Sequence, residues 1–262
     1  MPQPYIRAIR SITEAPVPRH LEMHTHDNYE IFVFLAGDAS YHVEGTIYPM
    51  EPWDILIMKK AEAHSLWINR VVPYDRIVIN FNLDAILGAQ PAALHTFLDE
   101  RPLGLFNRYP AALFPDAPWR KYLQKIVEHR TDPAYMQLYL TVLLTELLEA
   151  QPTVMENWHQ HTDQITDIIN YINANYRQPL SIDGLCREFY VSSTQLNRLF
   201  RSSTGVPVWK YITAKRLLYA KDLLESGETP ADACVKSGFN DYSPFYRAYK
   251  ARFGVSPKEH KK

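Results

Sequence analysis

Cysteine is scarce in this chain of 262 residues, which contains only Cys186 and Cys234. Two cysteines so far apart in the sequence, both at predicted helix-core positions, do not form the disulfide framework of a small secreted protein. We therefore expect reduced thiols and a cytoplasmic location. The sequence also lacks a basic N-terminal stretch followed by an apolar run, and it lacks an apolar segment long enough to cross a bilayer. These absences argue against a signal peptide and a transmembrane helix, so we expect no membrane partner.

An overall excess of charge is missing too, since the formal net charge is only -1. The charges are nevertheless divided unevenly along the chain. Residues 162–262 contain 15 Lys and Arg against 10 Asp and Glu, whereas residues 1–161 contain 13 against 19. A basic C-terminal part joined to an acidic N-terminal part is typical of a nucleic-acid reader attached to a domain with another task. The length and the hydrophobic content of 46% allow two domains of ordinary size.

The most informative stretch, residues 229–258, predicts two short helices joined by a tight turn. Thr229 is a good N-cap, and Pro230 suits the first helical position. Gly238 can adopt the left-handed conformation that ends a helix, and Asp241 is placed to cap the next one. An apolar stripe at helical spacing follows, formed by Phe245, Ala248, Tyr249 and Phe253. The polar and basic remainder of this second helix is typical of a DNA-binding helix-turn-helix.

The second helix of this motif has a counterpart earlier in the chain, where residues 192–201 match residues 241–250. The matched pairs are Ser192 and Asp241, Leu196 and Phe245, Arg198 and Arg247, Phe200 and Tyr249, Arg201 and Lys250, and Gly205 and Gly254. Residues 208–225 predict one helix between the two copies, about 27 Å long at 1.5 Å per residue. That length is compatible with two helices that enter successive major-groove segments, which recur about every 34 Å along DNA.

These residues resemble the DNA-binding region of the AraC/XylS family of bacterial transcription regulators. The positions that match the family pattern are Gly238-Phe239, Asp241, Phe245, Arg247, Tyr249-Lys250, Gly254 and Ser256-Pro257. The resemblance covers residues 163–260, and it departs from the family at Pro230, Ala233, Cys186 and Cys234. It implies a transcription regulator that binds double-stranded DNA, responds to a small-molecule effector, forms a homodimer and has RNA polymerase as a further partner.

Two sets of side chains are expected to contact DNA by their positions on the repeated helices. The base-facing set is Ser193, Thr194, Asn197 and Arg198 in the first repeat and Tyr242, Ser243, Tyr246 and Arg247 in the second. The phosphate-facing set is Arg201, Lys210, Lys250, Arg252 and Lys258. The two helix-turn-helix units cover about residues 181–202 and 229–253, within an expected domain of residues 156–262.

Residues 24–82 predict many short strands, as in a sandwich or barrel. The expected strands are 29–35, 40–43, 46–48, 54–58, 64–68 and 76–81, preceded by an arm or edge strand within residues 1–23. The motif His24-Thr25-His26, Glu30 and Gly37 resembles the first motif of the cupin barrel, and Pro52-Trp53-Asp54 with His64 resembles the second. Trp53 and Ala61 stand where the second motif has glycine, and Lys59 stands where it has proline. The sensor half of many AraC-family proteins is similar to this pattern.

The candidate ligand-binding residues of the barrel are His24, His26, Glu30 and His64. Three histidines and a carboxylate can hold a first-row metal, but they can also bond to one another or to an organic ligand. The weakened second motif favours the organic ligand, so we expect no cofactor. Aromatic side chains are expected nearby, at Phe32, Phe34, Tyr41 and Trp67. Such a pocket suits a small polar molecule with an apolar face, for example a sugar.

Residues 118–130 and 133–150 predict two further helices, and the second is apolar nearly all round. A helix of that kind buries more than one face, either within one subunit or against a second subunit. Residues 151–161 are polar, contain Pro152 and predict a linker at the end of a first domain, residues 1–155.

The expected fold class is α+β, with an N-terminal cupin-like β-barrel and flanking helices, followed by an all-α domain with two helix-turn-helix units. The expected function is that of a non-enzymatic, small-molecule-responsive transcription regulator. Two alternatives stay open at this point. One is a metal-dependent cupin enzyme fused to a DNA-binding domain. The other is a DNA-binding protein without a ligand, whose barrel only dimerises.

Overall fold

The computed structural model describes residues 4–21, 23–88, 92–156 and 164–260. Its contacts divide the chain into two compact units. The first unit comprises Met1–Leu21 and His26–His161, and the second comprises Glu22–Thr25 and Thr162–Lys262. None of the helices in the described ranges is long and apolar enough to cross a membrane.

The first unit is built on two antiparallel sheets. The strands are β1 Ile6–Thr13, β2 Arg19–His20, β3 Tyr29–Ala36, β4 Ala39–Val43, β5 Thr46–Pro49, β6 Ile55–Met58, β7 His64–Ile68, β8 Tyr74–Phe81 and β9 Arg108–Tyr109. Sheet A has the order β1-β8-β3-β6-β9, and sheet B has the order β2-β7-β4-β5. The predicted strands are confirmed to within two residues at each end. β1 is the predicted edge strand and pairs along its whole length with β8.

Sheet A contributes to two separate apolar cores. Along β3, Tyr29, Ile31 and Val33 belong to a core shared with helices, whereas Phe32 and Phe34 belong to a core shared with sheet B. Neighbouring residues of a strand point to opposite faces, so one strand can serve both cores. This double burial explains why β3 is a nearly continuous apolar run, and it places the residues with even numbers in the space between the sheets.

Helices cover the other face of sheet A. They are α1 Ala92–His95, α2 Trp119–Glu128 and α3 Pro133–Glu156, with a π-helical turn Thr96–Glu100 after α1. Leu123 of α2 and Leu140 and Leu143 of α3 are completely buried in the core that they share with β3.

The predicted linker is wrong in its first part, because α3 continues through Pro152 to Glu156. The buried side chain of Val154 accounts for the extra turns, since its packing outweighs the hydrogen bond that the proline removes. Residues 157–161 of the predicted linker lie outside the described residues. The predicted boundary between residues 155 and 156 falls at the end of this helix.

Residues 164–260 of the second unit are helical apart from their connecting turns. Its helices are α4 Gln164–Asn175, α5 Ile182–Glu188, α6 Ser193–Thr204, α7 Val208–Glu225, α8 Pro230–Lys236, α9 Tyr242–Phe253 and α10 Pro257–His260. Thr229 caps α8, since its hydroxyl oxygen accepts from the Asp232 backbone N–H at 3.1 Å. Phe245 and Tyr249 of α9 are completely buried against α7. A β-rich N-terminal part and an all-α C-terminal part confirm the predicted fold class.

Candidate nucleic-acid interface and ligand pocket

The two candidate recognition helices, α6 and α9, have the same length and the same ending. Each spans 12 residues, and each stops at a glycine in the left-handed conformation, Gly205 at φ 74° and Gly254 at φ 76°. Their starts differ. The Ser192 hydroxyl accepts from the Gln195 backbone N–H at 3.1 Å, whereas Asp241 occupies the N-cap position without a side-chain capping bond. The predicted cap at Asp241 is therefore correct in position but wrong in its contact.

The burial of the two helices agrees at each of nine successive positions, 193–201 and 242–250. Both bury the fourth and eighth positions completely, with Leu196 and Phe200 in α6 and Phe245 and Tyr249 in α9. Both expose the first three, the sixth and the ninth. Those exposed positions include Ser193, Thr194, Arg198 and Arg201 in α6 and Tyr242, Ser243, Arg247 and Lys250 in α9. The two helices therefore present one duplicated outer surface.

The basic residues of this surface have no acidic partner within 4.0 Å among the described residues. They are Arg198, Arg201, Arg247 and Lys250. Some basic residues on other helices do have such a partner, as Lys125 has in Glu128 at 2.7 Å and Lys221 has in Glu225 at 3.3 Å. An exposed cation without a carboxylate keeps its full charge available for an anionic partner, such as a phosphate.

The two remaining predicted base-facing residues, Asn197 and Tyr246, are half-buried. The Asn197 side-chain amide donates to the Ser193 carbonyl at 3.0 Å, one helical turn back. The Tyr246 ring lies 6.3 Å from the Tyr242 ring, and Tyr242 is 43% exposed. The first helix therefore offers small polar groups and the second offers an aromatic pair.

In the first unit, polar side chains converge on the carboxylate of Glu30 between the two sheets. Tyr41 Oη donates to Glu30 Oε1 at 3.1 Å, and Asn80 Nδ2 donates to Oε2 at 2.8 Å. His26 Nε2 lies 3.2 Å from Oε2, and His64 Nε2 lies 4.0 Å from Oε1. Three of the four predicted ligand-binding residues, His26, Glu30 and His64, are thus brought together. The fourth, His24, is exposed, and its ligand atom lies within 4.8 Å of those of His26 and His64.

Glu30 stays ionised although it is buried. Burial alone would raise its pKa, but the hydrogen bond from His26, the positive charges of His64 and His26 and the amide of Asn80 outweigh burial and hold the pKa at about 2. Burial and the charge of Glu30 both raise the pKa of Tyr41, which therefore remains a hydroxyl donor. The cluster therefore has an ionised carboxylate at its centre, with imidazoles and hydrogen-bond donors around it.

His26 is positioned by two acceptors, one on each ring nitrogen. Nδ1 lies 2.8 Å from the carbonyl oxygen of Asn28, and Nε2 faces Glu30. Two acceptors favour an imidazolium that donates from both nitrogens, and an imidazolium has no lone pair for a metal. In this arrangement His26 acts as a hydrogen-bond donor, and a metal held by the three histidines would require His26 to be deprotonated.

The structure also tests the aromatic residues that the sequence predicted near the pocket. Phe32, Phe34 and Tyr41 lie in the core between the sheets, as predicted. Trp67 does not lie there. It follows Leu66 on β7 and therefore points to the opposite face of sheet B. On that face its ring stacks on the His42 ring, with 3.7 Å between the ring centroids. The sequence interpretation also missed Asn80, although the even-numbered residues of β8 could have indicated its direction.

The cupin-like turn positions keep their backbone geometry in spite of their altered residues. Trp53 has a φ of 72° and Ala61 has a φ of 58°, both in the left-handed region that glycine adopts most easily. The two positions at which the sequence replaces a glycine of the cupin pattern therefore retain the glycine-like conformation.

Comparisons with known proteins match both halves of the chain. A family model described as a helix-turn-helix domain matches residues 185–262, and one described as an AraC-like ligand-binding domain matches residues 9–113. The virulence regulon transcriptional activator VirF of Yersinia enterocolitica serotype O:8 is 30% identical over 249 residues, which cover 89% of this chain and 89% of VirF. The transcriptional activator RhaR of Mannheimia succiniciproducens is 21% identical over 248 residues, which cover 91% of this chain and 86% of RhaR.

Proposed function

Since this chain belongs to the AraC/XylS family of transcription regulators, we propose that both of its helix-turn-helix units read DNA and that the pocket around Glu30 holds the effector. Relatives such as VirF and RhaR are transcriptional activators, which supports a regulatory and non-enzymatic role. A regulator of this kind acts on the bacterial chromosome in the cytoplasm. Contact with RNA polymerase and homodimerisation belong to the same proposal.

The duplicated outer surface of α6 and α9 supports the DNA-binding part. Arg198 and Arg247 lie at equivalent positions near the middle of each exposed face, and a guanidinium can donate two hydrogen bonds to guanine O6 and N7. Arg201 and Lys250 lie one turn later, where a basic side chain suits a phosphate. The proposal therefore assigns base reading to the first pair and phosphate binding to the second.

Single alanine variants separate base reading from phosphate binding. Arg198→Ala is expected to relax sequence preference in one operator segment, and Arg247→Ala in another about 10 base pairs away. Each variant is expected to lose about 1–3 kcal/mol on the preferred site and little on random DNA. Quantitative binding to operators randomised segment by segment measures both effects.

Lys250→Ala is the matched comparison for these two variants. It is expected to weaken binding to all sequences alike and to reduce the salt slope by about one. A uniform loss of affinity for Arg247→Ala, without any change of preference, would show that only the first repeat reads bases. The aromatic pair Tyr242 and Tyr246 makes that outcome informative, since it distinguishes α9 from α6.

The ionised Glu30 supports the effector-binding part. A carboxylate with four polar neighbours between two sheets can accept hydrogen bonds from hydroxyl or amino groups of a small molecule. Glu30→Ala is therefore expected to abolish the response of a reporter operon to its effector. The loss of one buried partner costs about 1–3 kcal/mol of binding free energy.

Two controls accompany the Glu30 experiment. Glu14→Ala changes an exposed carboxylate of the same unit and is expected to keep the response. DNA affinity without effector is expected to persist in Glu30→Ala, which would show that the second unit is folded. An unaltered effector response in Glu30→Ala would place the effector elsewhere.

A further inference from the structure

The inner face of β8 continues beyond Asn80 and carries a second polar group, Arg76. Alternate residues of β8 share one face, and the contacts of that face confirm its direction. Asn80 donates to Glu30, Val78 packs on the core between the sheets, and Tyr74 is a buried member of that core. Arg76 lies between Tyr74 and Val78 on this face, opposite Phe34 of β3.

Arg76 packs on an aromatic ring and has no acidic partner among the described residues. Its guanidinium carbon lies 4.8 Å from the centre of the Tyr74 ring. Its Nη1 atom and the Tyr74 hydroxyl are both buried, and neither has a hydrogen-bond partner among the residues that the structure describes. No carboxylate of those residues comes within 4.0 Å of the guanidinium, although Glu30 acts on the same Tyr74 from further away.

Several other arginines of the first unit pair with carboxylates. Arg101 is buried and bonds to Glu62 at 2.8 Å, and Arg108 bonds to Asp54 at 2.7 Å. On the opposite face of sheet A, Arg10 pairs with Asp75 at 2.7 Å. A half-buried guanidinium without a counterion is costly unless a bound group compensates it, because its desolvation is not repaid.

We propose that Arg76 and the Tyr74 hydroxyl bind the carboxylate of the effector. An arginine and a carboxylate form two parallel hydrogen bonds, and the tyrosine hydroxyl can donate a third. This inference rests on the proposed function, because it places the carboxylate of the same effector at Arg76 while Glu30 binds the effector's other end. It predicts that the effector is an acid.

The spacing of the two polar ends narrows the class of ligand. Asn80 and Arg76 are four residues apart on one strand, which is about 13 Å between their backbone positions at 3.3 Å per residue. Apolar side chains of the core between the sheets, among them Phe32 and Val78, lie between them. Glu30 and its polar neighbours at one end suit a hydroxylated group, and Arg76 at the other suits an anion. The ligand is accordingly a hydroxylated carboxylic acid, of which sugar acids are one example.

The test compares acids with neutral sugars on the full-length protein. Thermal shift and calorimetric titration use D-galacturonate and D-gluconate as acidic probes and D-galactose and D-sorbitol as their neutral counterparts. The acids are expected to raise the melting temperature of the wild type, and the neutral counterparts are expected to have little effect. Arg76→Met is expected to lower the affinity for the acids at least tenfold.

Two variants complete the design. Arg10→Met makes the same chemical change on the opposite face of the sheet and is expected to keep the affinity for the acids. Tyr74→Phe removes only the hydroxyl and is expected to weaken acid binding several-fold, which tests the site even where Arg76→Met folds poorly. Acid binding that is equal in wild type, Arg76→Met and Tyr74→Phe overturns the inference.

The remaining outcomes separate this inference from the proposed function. Binding of the neutral sugars, lost in Glu30→Gln but kept in Arg76→Met, overturns the acid class and leaves effector binding at Glu30 intact. Failure of every acid to bind, with a reporter response that still depends on Glu30, also overturns only the acid class. Failure of all four probes, with a reporter that responds to no compound, overturns both.

Discussion

His26 shows how a single residue couples the ligand pocket to pH. Its side chain is only 22% exposed, and burial by itself would lower its pKa. The hydrogen bond and the negative charge of Glu30, together with the carbonyl of Asn28, more than offset burial and raise the pKa above the ordinary value of 6.5. A group with a raised folded-state pKa stabilises the fold below its unfolded pKa and loses that contribution as pH rises through the folded pKa.

The stability of the first unit is therefore expected to depend on pH through His26. Relative to His26→Gln, the wild type should be most stabilised below pH 6.5, and the advantage should shrink as pH rises towards 8. Melting temperatures of the two proteins across this range measure the difference. In a Glu30→Gln background the pH dependence should largely disappear. A wild-type advantage that is constant from pH 5.5 to 8 would contradict the assignment.

Individual site residues differ in how far the sequence could reveal them. His26, Glu30 and His64 stand in a recognisable motif, and their convergence follows from it. Asn80 could not be found in that way, because it meets Glu30 across two strands that are 50 residues apart in the chain. Such a pair depends on strand register, which is set by packing on both faces of the sheet.

At the scale of elements, the two helix-turn-helix units differ in their turns. The link between α5 and α6 is residues 189–192, whereas the link between α8 and α9 is residues 237–241 and is one residue longer. Each turn has one left-handed residue, Tyr190 at φ 54° in the first and Gly238 at φ 90° in the second. Tyr190 is 95% exposed, so no packing of its side chain offsets the backbone strain.

Gly238 is required for a second reason, which is a close approach between elements. A Cβ atom there would lie 2.8 Å from the carbonyl oxygen of Arg177 and 2.9 Å from that of Tyr176. The Tyr176 carbonyl also accepts from Arg216 Nε at 2.6 Å, so it has little freedom to move away. The turn of the second helix-turn-helix unit thus packs directly on the end of α4.

Gly238→Ala is accordingly expected to destabilise the second unit more than Gly254→Ala does. Both glycines are left-handed, but a Cβ at Gly254 would meet no atom within 4 Å. Gly254→Ala should cost about 1–2 kcal/mol, which is the left-handed penalty alone. Gly238→Ala should cost about 1–3 kcal/mol more, because of steric overlap. Urea unfolding of the two full-length variants measures the difference, and equal losses would argue against the close approach.

The elements that the sequence predicted best are those specified by local signals. α7 begins and ends at the predicted residues, after Pro207 and before Ser226. Two elements that depend on distant partners were less accessible. β9 is only two residues long and exists through its pairing with β6, and the last turns of α3 depend on the burial of Val154. Local propensity does not contain those contacts.

At the scale of the whole molecule, the two units differ in the chemistry that they offer. The first unit pairs several of its buried charges, as in the Arg101–Glu62 and Arg108–Asp54 bridges. The second unit leaves the basic residues of α6 and α9 without acidic partners within its described part. Each unit also has its own apolar core. These properties favour units that fold and act separately.

A fragment of residues 160–262 is therefore expected to be soluble and to bind DNA by itself. On a DNA with two half-sites, the full-length protein should bind more tightly than the fragment if α3 pairs two subunits, because the second site is then bound at a high effective concentration. Tyr135 and Leu138 of α3, which are 47% and 48% exposed, offer an apolar surface for that contact. Filter binding or anisotropy on one-site and two-site DNA measures the gain.

Leu138→Glu tests whether α3 is the source of this gain. A charge on the apolar face of α3 should make the full-length protein monomeric and reduce its affinity for two-site DNA to that of the fragment, with binding to one-site DNA unchanged. Val71→Glu is the control, since it places the same charge on another exposed apolar residue of the first unit, 62% exposed. If full-length protein, Leu138→Glu and fragment bind two-site DNA equally well, α3 does not pair two subunits on DNA.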